Sequence, residues 1–391
     1  MAGTRWGLIA ALWFAGLTAA GQFAKTAVII DLLRPVWPGA GVWLGLVVSV
    51  VGFVGILFGT TAGIAVARIG PRRMLLAALV VGAALSLAES LMPPLAVMIV
   101  LRALEGMSHL AIVVAAPVLI AASARPEDQP AAMTLWSTFF AVAFAITAFV
   151  GRPLVAASGP AALFLCHAAL MAGAALLLSV LLAKSERVPR DAIAGAGLIE
   201  AHRRIYASPR IAAPALGFVF YTLMFVAFLT LLPDLIAPEW RLLTATVMPL
   251  VSIVVSLGLG VALTRARGAV LTVQVGLGAT ALVIALLVAS AGQGVMALVA
   301  VMAISGALGL VQGGSFAAIS ELNDAGPARA EAAGAIAQLG NVGTTLGTPV
   351  LLRMTDLWGL PAVLWFGLPL CLGGIATHGW LARRRARQPS G

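Results

Sequence analysis

Charged side chains are scarce in this chain, at 10% of 391 residues, where an ordinary soluble domain carries roughly 25%. Tyrosine occurs only twice and cysteine only twice. Cys166 and Cys371 both lie inside apolar runs, so they exclude a disulfide framework and read as small buried hydrophobes. The sequence holds no zinc-type ligand spacing, no phosphate-binding glycine loop and no nucleophile–base pair, so neither enzymatic chemistry, nor direct ATP drive, nor a cofactor is expected. What fills the space is apolar: hydrophobic residues make up 61% of the chain. No soluble fold can hide that much apolar surface, which makes the bilayer the solvent. The net charge of +10 is spread in short blocks between long apolar runs. That is the pattern of cytoplasmic loops, and it speaks against nucleic acid as a partner.

About 20 apolar residues cross a hydrocarbon core. On that measure the chain divides into twelve spans: 6–30, 42–66, 74–92, 95–121, 131–156, 160–183, 211–236, 243–264, 269–290, 293–317, 330–352 and 361–381. The first run is too long for the apolar core of a signal peptide and reads as a retained span. Placing the N-terminus inside puts eighteen of the 24 Lys and Arg residues in cytoplasmic segments, including Arg68, Arg72, Arg73, Arg265, Arg267 and the four of the tail. A miscounted span would invert every later loop and erase this bias. Both termini are therefore expected in the cytoplasm, with a bacterial inner membrane as the expected location. Trp37, Trp43, Trp240 and Trp358 fall near expected outer interfaces, Trp6 and Trp380 near inner ones.

An internal repeat shows at two places. Gly63-Ile-Ala-Val-Ala-Arg68 closes span 2 and Gly260-Val-Ala-Leu-Thr-Arg265 closes span 8, 197 residues later. Gly151-Arg-Pro153 and Gly347-Thr-Pro349 mark spans 5 and 11 at an offset of 196. One shared register argues for a duplicated six-span unit. The expected domains are residues 1–183 and 211–391, joined by a cytoplasmic linker at 184–210. Within that linker Ile199–Tyr206 has the makings of a short basic surface helix.

These features resemble the major facilitator superfamily. Gly63, Arg68, Gly70, Arg72 and Arg73 match the family's signature loop between spans 2 and 3, although its acidic position is Ala67 here. Arg102 and Gly106 match the span-4 signature, whereas Gly151-Arg-Pro153 is a poor version of the antiporters' span-5 motif. The resemblance implies an all-α membrane fold of two six-helix bundles around a central cavity lined mainly by spans 1, 4, 7 and 10. The stretches Leu104–Ile120 and Tyr221–Pro233 are also similar to the CcoA-like subgroup, which imports copper or riboflavin.

The chemistry concentrates in span 4, where Arg102, Glu105 and His109 share one helical face of an apolar segment. Charges at membrane depth are costly and usually mark a functional path. Glu105 lies roughly 15 Å along this span, near its centre, so the three residues read as a substrate or proton site. An Arg–Glu clamp within the helix is the structural alternative. Lys25 in span 1 either faces the cavity with Gln22 or snorkels outward. Its candidate partners are Asp31, Glu89 and Glu105, with Asp31 and Glu89 expected at headgroup level. Candidate cargo contacts are Gln22, Tyr221, Thr222, Ser305, Gln312 and Asn341, with Gln338 and Thr345 beside Asn341 and Ser315 beside Gln312. His167 and Met171 in span 6 form a pair of soft ligands, for which ordinary packing is expected over a metal site. The reading is a secondary transporter, monomeric, that moves a small organic solute by alternating access, with protons as the expected co-substrate. Import of copper or riboflavin, efflux of a drug or metabolite, and a non-transporting receptor on the same scaffold are the alternatives.

Overall fold

The computed structural model describes residues 3–40, 42–182, 198–291, 294–324 and 326–387. Those residues are almost entirely helical. α1 (Trp6–Ala27) leads through the short α2 (Ile30–Leu33) to α3 (Val42–Ile69), α4 (Pro71–Ser90) and α5 (Leu95–Ser123). The fifth crossing is broken into α6 (Gln129–Ser137), α7 (Phe139–Ile146), a π-helical turn at Thr147–Gly151 and α8 (Arg152–Ser158). α9 (Pro160–Leu181) and α10 (Leu198–Ala207) follow, then α11 (Ala213–Leu235), α12 (Arg241–Val255), a second π-helical turn at Ser256–Gly260, and α13 (Val261–Arg267). The chain closes with α14 (Ala269–Ala289), α15 (Gly294–Glu321), α16 (Gly326–Trp358) and α17 (Pro361–Ala386).

Eleven segments among the described residues are long and apolar enough to cross a membrane. The twelfth expected span lies within α16, which at 33 residues has the length but is diluted by Glu331, Gln338, Asn341, Arg353 and Asp356. Helix joints fall where the backbone demands glycine. Gly70 (φ +97) separates α3 from α4, and Gly268 (φ +86) makes the equivalent turn between α13 and α14, so the repeat seen in sequence recurs as geometry.

The chain forms two compact units. The first comprises Met1–Arg125, Thr138–Ala201 and Gly326–Ala337; the second comprises Pro126–Ser137, His202–Ala325 and Gln338–Gly391. Two short pieces depart from chain order: residues 126–137 group with the second unit and residues 326–337 with the first. In the first unit the start of α16 presses on α3, where a β-carbon at Gly334 would lie 2.7 Å from the Gly59 carbonyl oxygen. In the second unit α6 lies against α15, with Gln312 Nε2 donating to the Ser137 carbonyl at 2.7 Å. Small residues permit both approaches.

Within the signature loop, Gly63 packs against Ala330 and Glu331, and Arg72 Nε donates to the Leu182 carbonyl at 3.2 Å. Arg68 and Arg73 are exposed. α10 takes up the expected basic surface helix, burying Ala201 and Ile205 while Ile199 is exposed. Residues 184–197 of the expected linker lie outside the described residues. Two expectations need correction. Trp37 does not face outward as a belt tryptophan would: it is buried in an apolar cluster with Ile29, Leu33, Met98 and Phe164, and its indole donates to the Pro93 carbonyl at 3.0 Å. Cys166 is exposed, turned outward by α9, and only Cys371 is a buried hydrophobe.

Candidate functional site

Four helices of the first unit each bring two residues spaced i, i+3 to one place: Gln22 and Lys25 on α1, Ser86 and Glu89 on α4, Arg102 and Glu105 on α5, Phe164 and His167 on α9. That spacing puts both members of a pair on one helical face. Four helices thereby build one polar knot from single turns. Lys25, Glu89, Arg102 and Glu105 are each at most 1% exposed. Lys25 Nζ lies 2.6 Å from Glu105 Oε1 and 2.7 Å from Glu89 Oε2. Arg102 Nη1 pairs with Glu105 Oε2 and lies 3.8 Å from Glu89 Oε1. Two cations and two carboxylates make the set formally neutral. Any one of them alone would be prohibitive at this depth.

Arg102 is held by more than charge. Its Nε donates to the Val47 carbonyl at 2.9 Å, and Nη2 donates to the Gln22 carbonyl at 2.6 Å and to Thr26 Oγ1 at 3.2 Å. The guanidinium thus ties α1 and α3 to α5. The Lys25 ammonium sits 4.9 Å from the centre of the Phe164 ring, a cation–π contact. Phe164 belongs to the apolar cluster built by α2 and its flanks, so this end of the unit seals the charges from above. Outside the cluster, Arg152 grips Asp31 with both guanidinium nitrogens at 2.8 Å. The hydrogen bond from Arg152 holds the Asp31 carboxyl down at about 2, below the usual carboxylate range.

The structure sorts the expected residues. Arg102, Glu105 and Lys25 meet, and Lys25 neither snorkels nor faces solvent. Glu89 was expected at headgroup level, yet it is fully buried as the cluster's fourth charge. Residues of α2 and its flanks pack with Met92 and Leu95 just past the end of α4, and Glu89 is left with no exposed surface. Lys25 stands two residues before the end of α1 and Glu89 one before the end of α4, so the cluster lies toward the α4–α5 end of the unit and not at its centre. His109 does not join Arg102 and Glu105. Its Nδ1 donates to the Ala19 carbonyl at 2.8 Å and its ring meets Phe23 edge-on. His167, expected to pack as part of a soft-ligand pair, instead lies 3.4 Å from Lys25 Nζ through Nδ1. Gln22 Nε2 donates to Ser108 Oγ at 3.1 Å, while Gln22 Oε1 is buried without a partner.

In the second unit, Tyr221 stacks between Phe218 and Phe225. Thr222 returns its hydroxyl to the Phe218 and Val219 carbonyls of its own helix, and Ser305 Oγ donates to the Met248 carbonyl at 2.6 Å. Gln338 accepts from the Tyr206 hydroxyl at 2.6 Å. Ser315 Oγ is buried without a partner, and Asn341 and Thr345 are half-buried on α16. Ser86, Glu89 and His167 are the residues that sequence reasoning left out of the site. Glu89 is the only acidic residue of α4 and sits one turn from Ser86, a signal that its place near the helix end obscured.

Among the described residues the chain is almost entirely helical, and eleven of its segments are long and apolar enough to cross a membrane, as in a multi-pass membrane protein. Residues 12–348 match the family model of the Major Facilitator Superfamily, and the chain belongs to that family. It is a transporter and not an enzyme. Among solved structures, it aligns with the family transporter FucP in its outward conformation at TM-score 0.75 and 15% identity, covering 97% of this chain and 99% of the other. The proton:xylose symporter XylE gives 0.77 and 12%, over 97% and 95%. The human organic anion transporter MFSD10 gives 0.74 and 14%, over 95% and 98%. At such identities the likeness establishes the major facilitator fold. Among curated proteins, none matches the chain significantly in sequence.

Proposed function

We propose that this chain is a proton-coupled secondary transporter that moves a small organic solute by alternating access, and that Lys25, Glu89, Arg102 and Glu105 form its coupling site. The observation that carries this reading is the neutral, buried four-charge cluster in the first unit. A proton added to either carboxylate takes the set from neutral to +1 and removes one partner of Lys25. In a buried site an uncompensated charge costs several kcal/mol, about 3–5 when a pair is broken. That is enough to bias a two-state transporter, since about 5.5 kcal/mol swings an equilibrium from 1:99 to 99:1. Proton coupling in XylE, a neighbour in fold, supports the reading by analogy.

Gln22 and Tyr221, with Gln312 and Asn341, are the proposed cargo contacts; the hydroxyls of Thr222 and Ser305 are used in helix packing. Gln22 is the strongest of these, because its Oε1 lacks a partner. The protein acts as a monomer with both termini in the cytoplasm. The test is uptake into proteoliposomes of a radiolabelled pool (a hexose, a dicarboxylic acid, a nucleoside and riboflavin), with and without an imposed pH gradient. Accumulation above the outside concentration only under the gradient supports the proposal. Uptake that ignores the gradient would make the cluster a structural clamp in a facilitative carrier, a reading favoured by the full burial of all four charges.

A further inference from the structure

The contacts of Lys25 lead out of the charge cluster. Its Nζ donates to Glu105 Oε1 at 2.6 Å and to Ser86 Oγ at 2.8 Å, forms an ion pair with Glu89 Oε2 at 2.7 Å, and lies 3.4 Å from His167 Nδ1. Ser86, having accepted one proton, has a single hydroxyl proton to give. Two acceptors compete for it: the Phe164 carbonyl at 3.1 Å and His167 Nδ1 at 2.9 Å. The other ring nitrogen of His167 fixes which one is an acceptor. Nε2 lies 2.8 Å from the Thr18 carbonyl, and a carbonyl only accepts, so Nε2 carries the proton and Nδ1 offers a bare lone pair. The ring is locked in this pose by Gly21, where a β-carbon would lie 2.9 Å from Cδ2.

We infer that Lys25, Ser86 and His167 form a proton relay, with His167 as the accepting end that moves coupling protons between the four-charge cluster and the middle of the unit; the inference rests on the proton-coupled reading above. The transfer balances in two linked steps. Lys25 gives an N–H proton to Ser86 Oγ as Ser86 gives its own hydroxyl proton to His167 Nδ1. Lysine becomes a neutral amine, serine is regenerated, and the imidazole becomes an imidazolium. A proton that arrives on Glu89 or Glu105 then passes to the amine and restores the lysine charge. The charged groups that face His167 are Lys25 from α1 and Glu89 from α4, with Arg102 and Glu105 of α5 behind them. Thr18, the anchor of the far ring nitrogen, lies seven residues before Lys25 on α1, about 10 Å along the axis. The relay therefore runs away from the sealed end.

The test compares wild type with His167→Gln, Ser86→Ala and Ser86→Thr in proteoliposomes, with the same radiolabelled pool as probe. Glutamine at 167 removes the titrating ring; alanine at 86 removes the bridging hydroxyl and leaves Lys25 and His167 only their long 3.4 Å contact. Two readouts are taken: accumulation driven by a pH gradient, and counterflow exchange, which needs no net proton movement. His167→Gln and Ser86→Ala are expected to lower the initial rate of driven accumulation about a hundredfold, the lower end of what a lost proton-transfer group costs, with counterflow unchanged. Ser86→Thr, which keeps a hydroxyl, is expected to retain both. Driven accumulation at the wild-type level in His167→Gln or Ser86→Ala overturns the relay. Parallel loss of counterflow also overturns it, placing these residues in folding or cargo binding. A wild type that moves none of the pool, or moves it regardless of pH, brings down the coupled-transport reading itself and the relay with it.

Discussion

Replacing Lys25 with methionine keeps the length of the side chain and removes its charge. Glu89 and Glu105 are then left with Arg102 as sole counter-ion, a net charge of −1 among groups that are 0% exposed. Removing one partner of a buried pair costs about 3–5 kcal/mol, mostly the penalty of the stranded charge. The lost donors add to this, because Glu89 Oε2 has Lys25 at 2.7 Å and Arg102 only at 3.8 Å, through its other oxygen. Taking Glu89 to glutamine as well makes the set neutral again with Arg102 and Glu105 still paired. The double variant should therefore recover most of the loss, a coupling energy of at least about 3 kcal/mol between the two positions, the top of the usual range. Thermal unfolding in lipid nanodiscs, followed by tryptophan fluorescence, reads this directly. At roughly 2 °C per kcal/mol for a chain this long, the single variant should melt about 6–10 °C below wild type and the double variant within a few degrees of it. Additive losses would mean that Lys25 and Glu89 do not compensate one another.

Three further outcomes follow from the packing and the surface. Gly334→Leu should destabilise by about 1–3 kcal/mol through overpacking, since a β-carbon there meets the Gly59 carbonyl at 2.7 Å, whereas Gly326→Ala, with nothing within 4 Å, should melt like wild type. Ser305→Ala should cost about 1 kcal/mol of stability through its lost hydrogen bond and leave the KM for cargo unchanged; a raised KM would return Ser305 to the binding site. The hydrogen bond from Arg152 lowers the Asp31 carboxyl to about 2, so the stability the pair adds is fully present above the ordinary carboxylate range and is lost progressively as pH falls from that range through about 2. The melting difference between wild type and Asp31→Asn should stay flat from pH 7 to pH 4 and narrow below that; narrowing already near pH 5 would contradict the pairing.

The crossings were legible because lipid imposes length and apolarity on each helix, and the turn at Gly70 because a glycine followed by proline stops one helix and starts the next. Arg102 and Glu105 were legible for the same reason, as charges i, i+3 apart in a segment that has no business holding any. Glu89 was not. A carboxylate one residue from a helix end belongs at a headgroup unless something covers it, and here the cover is supplied by α2 and Trp37, some 50 residues earlier. His167 was hidden differently: its role depends on Thr18, Ser86 and Lys25, three partners on two other helices. His109 misled because helical phase put it on the charged face, while the neighbouring Ala19 carbonyl draws its ring away. The exchanged pieces, α6 and the start of α16, depend on glycine contacts between distant segments, which no local pattern announces.

If the buried carboxylates couple cargo to protons, Glu105→Gln should separate the two. Glutamine keeps the shape of Glu105 and its acceptor toward Lys25 but takes up no proton. Counterflow and pH-driven accumulation of the same radiolabelled pool are measured in one set of proteoliposomes, beside wild type. Counterflow should persist while driven accumulation falls to the level seen without a gradient. Full gradient-driven accumulation in Glu105→Gln would contradict that coupling.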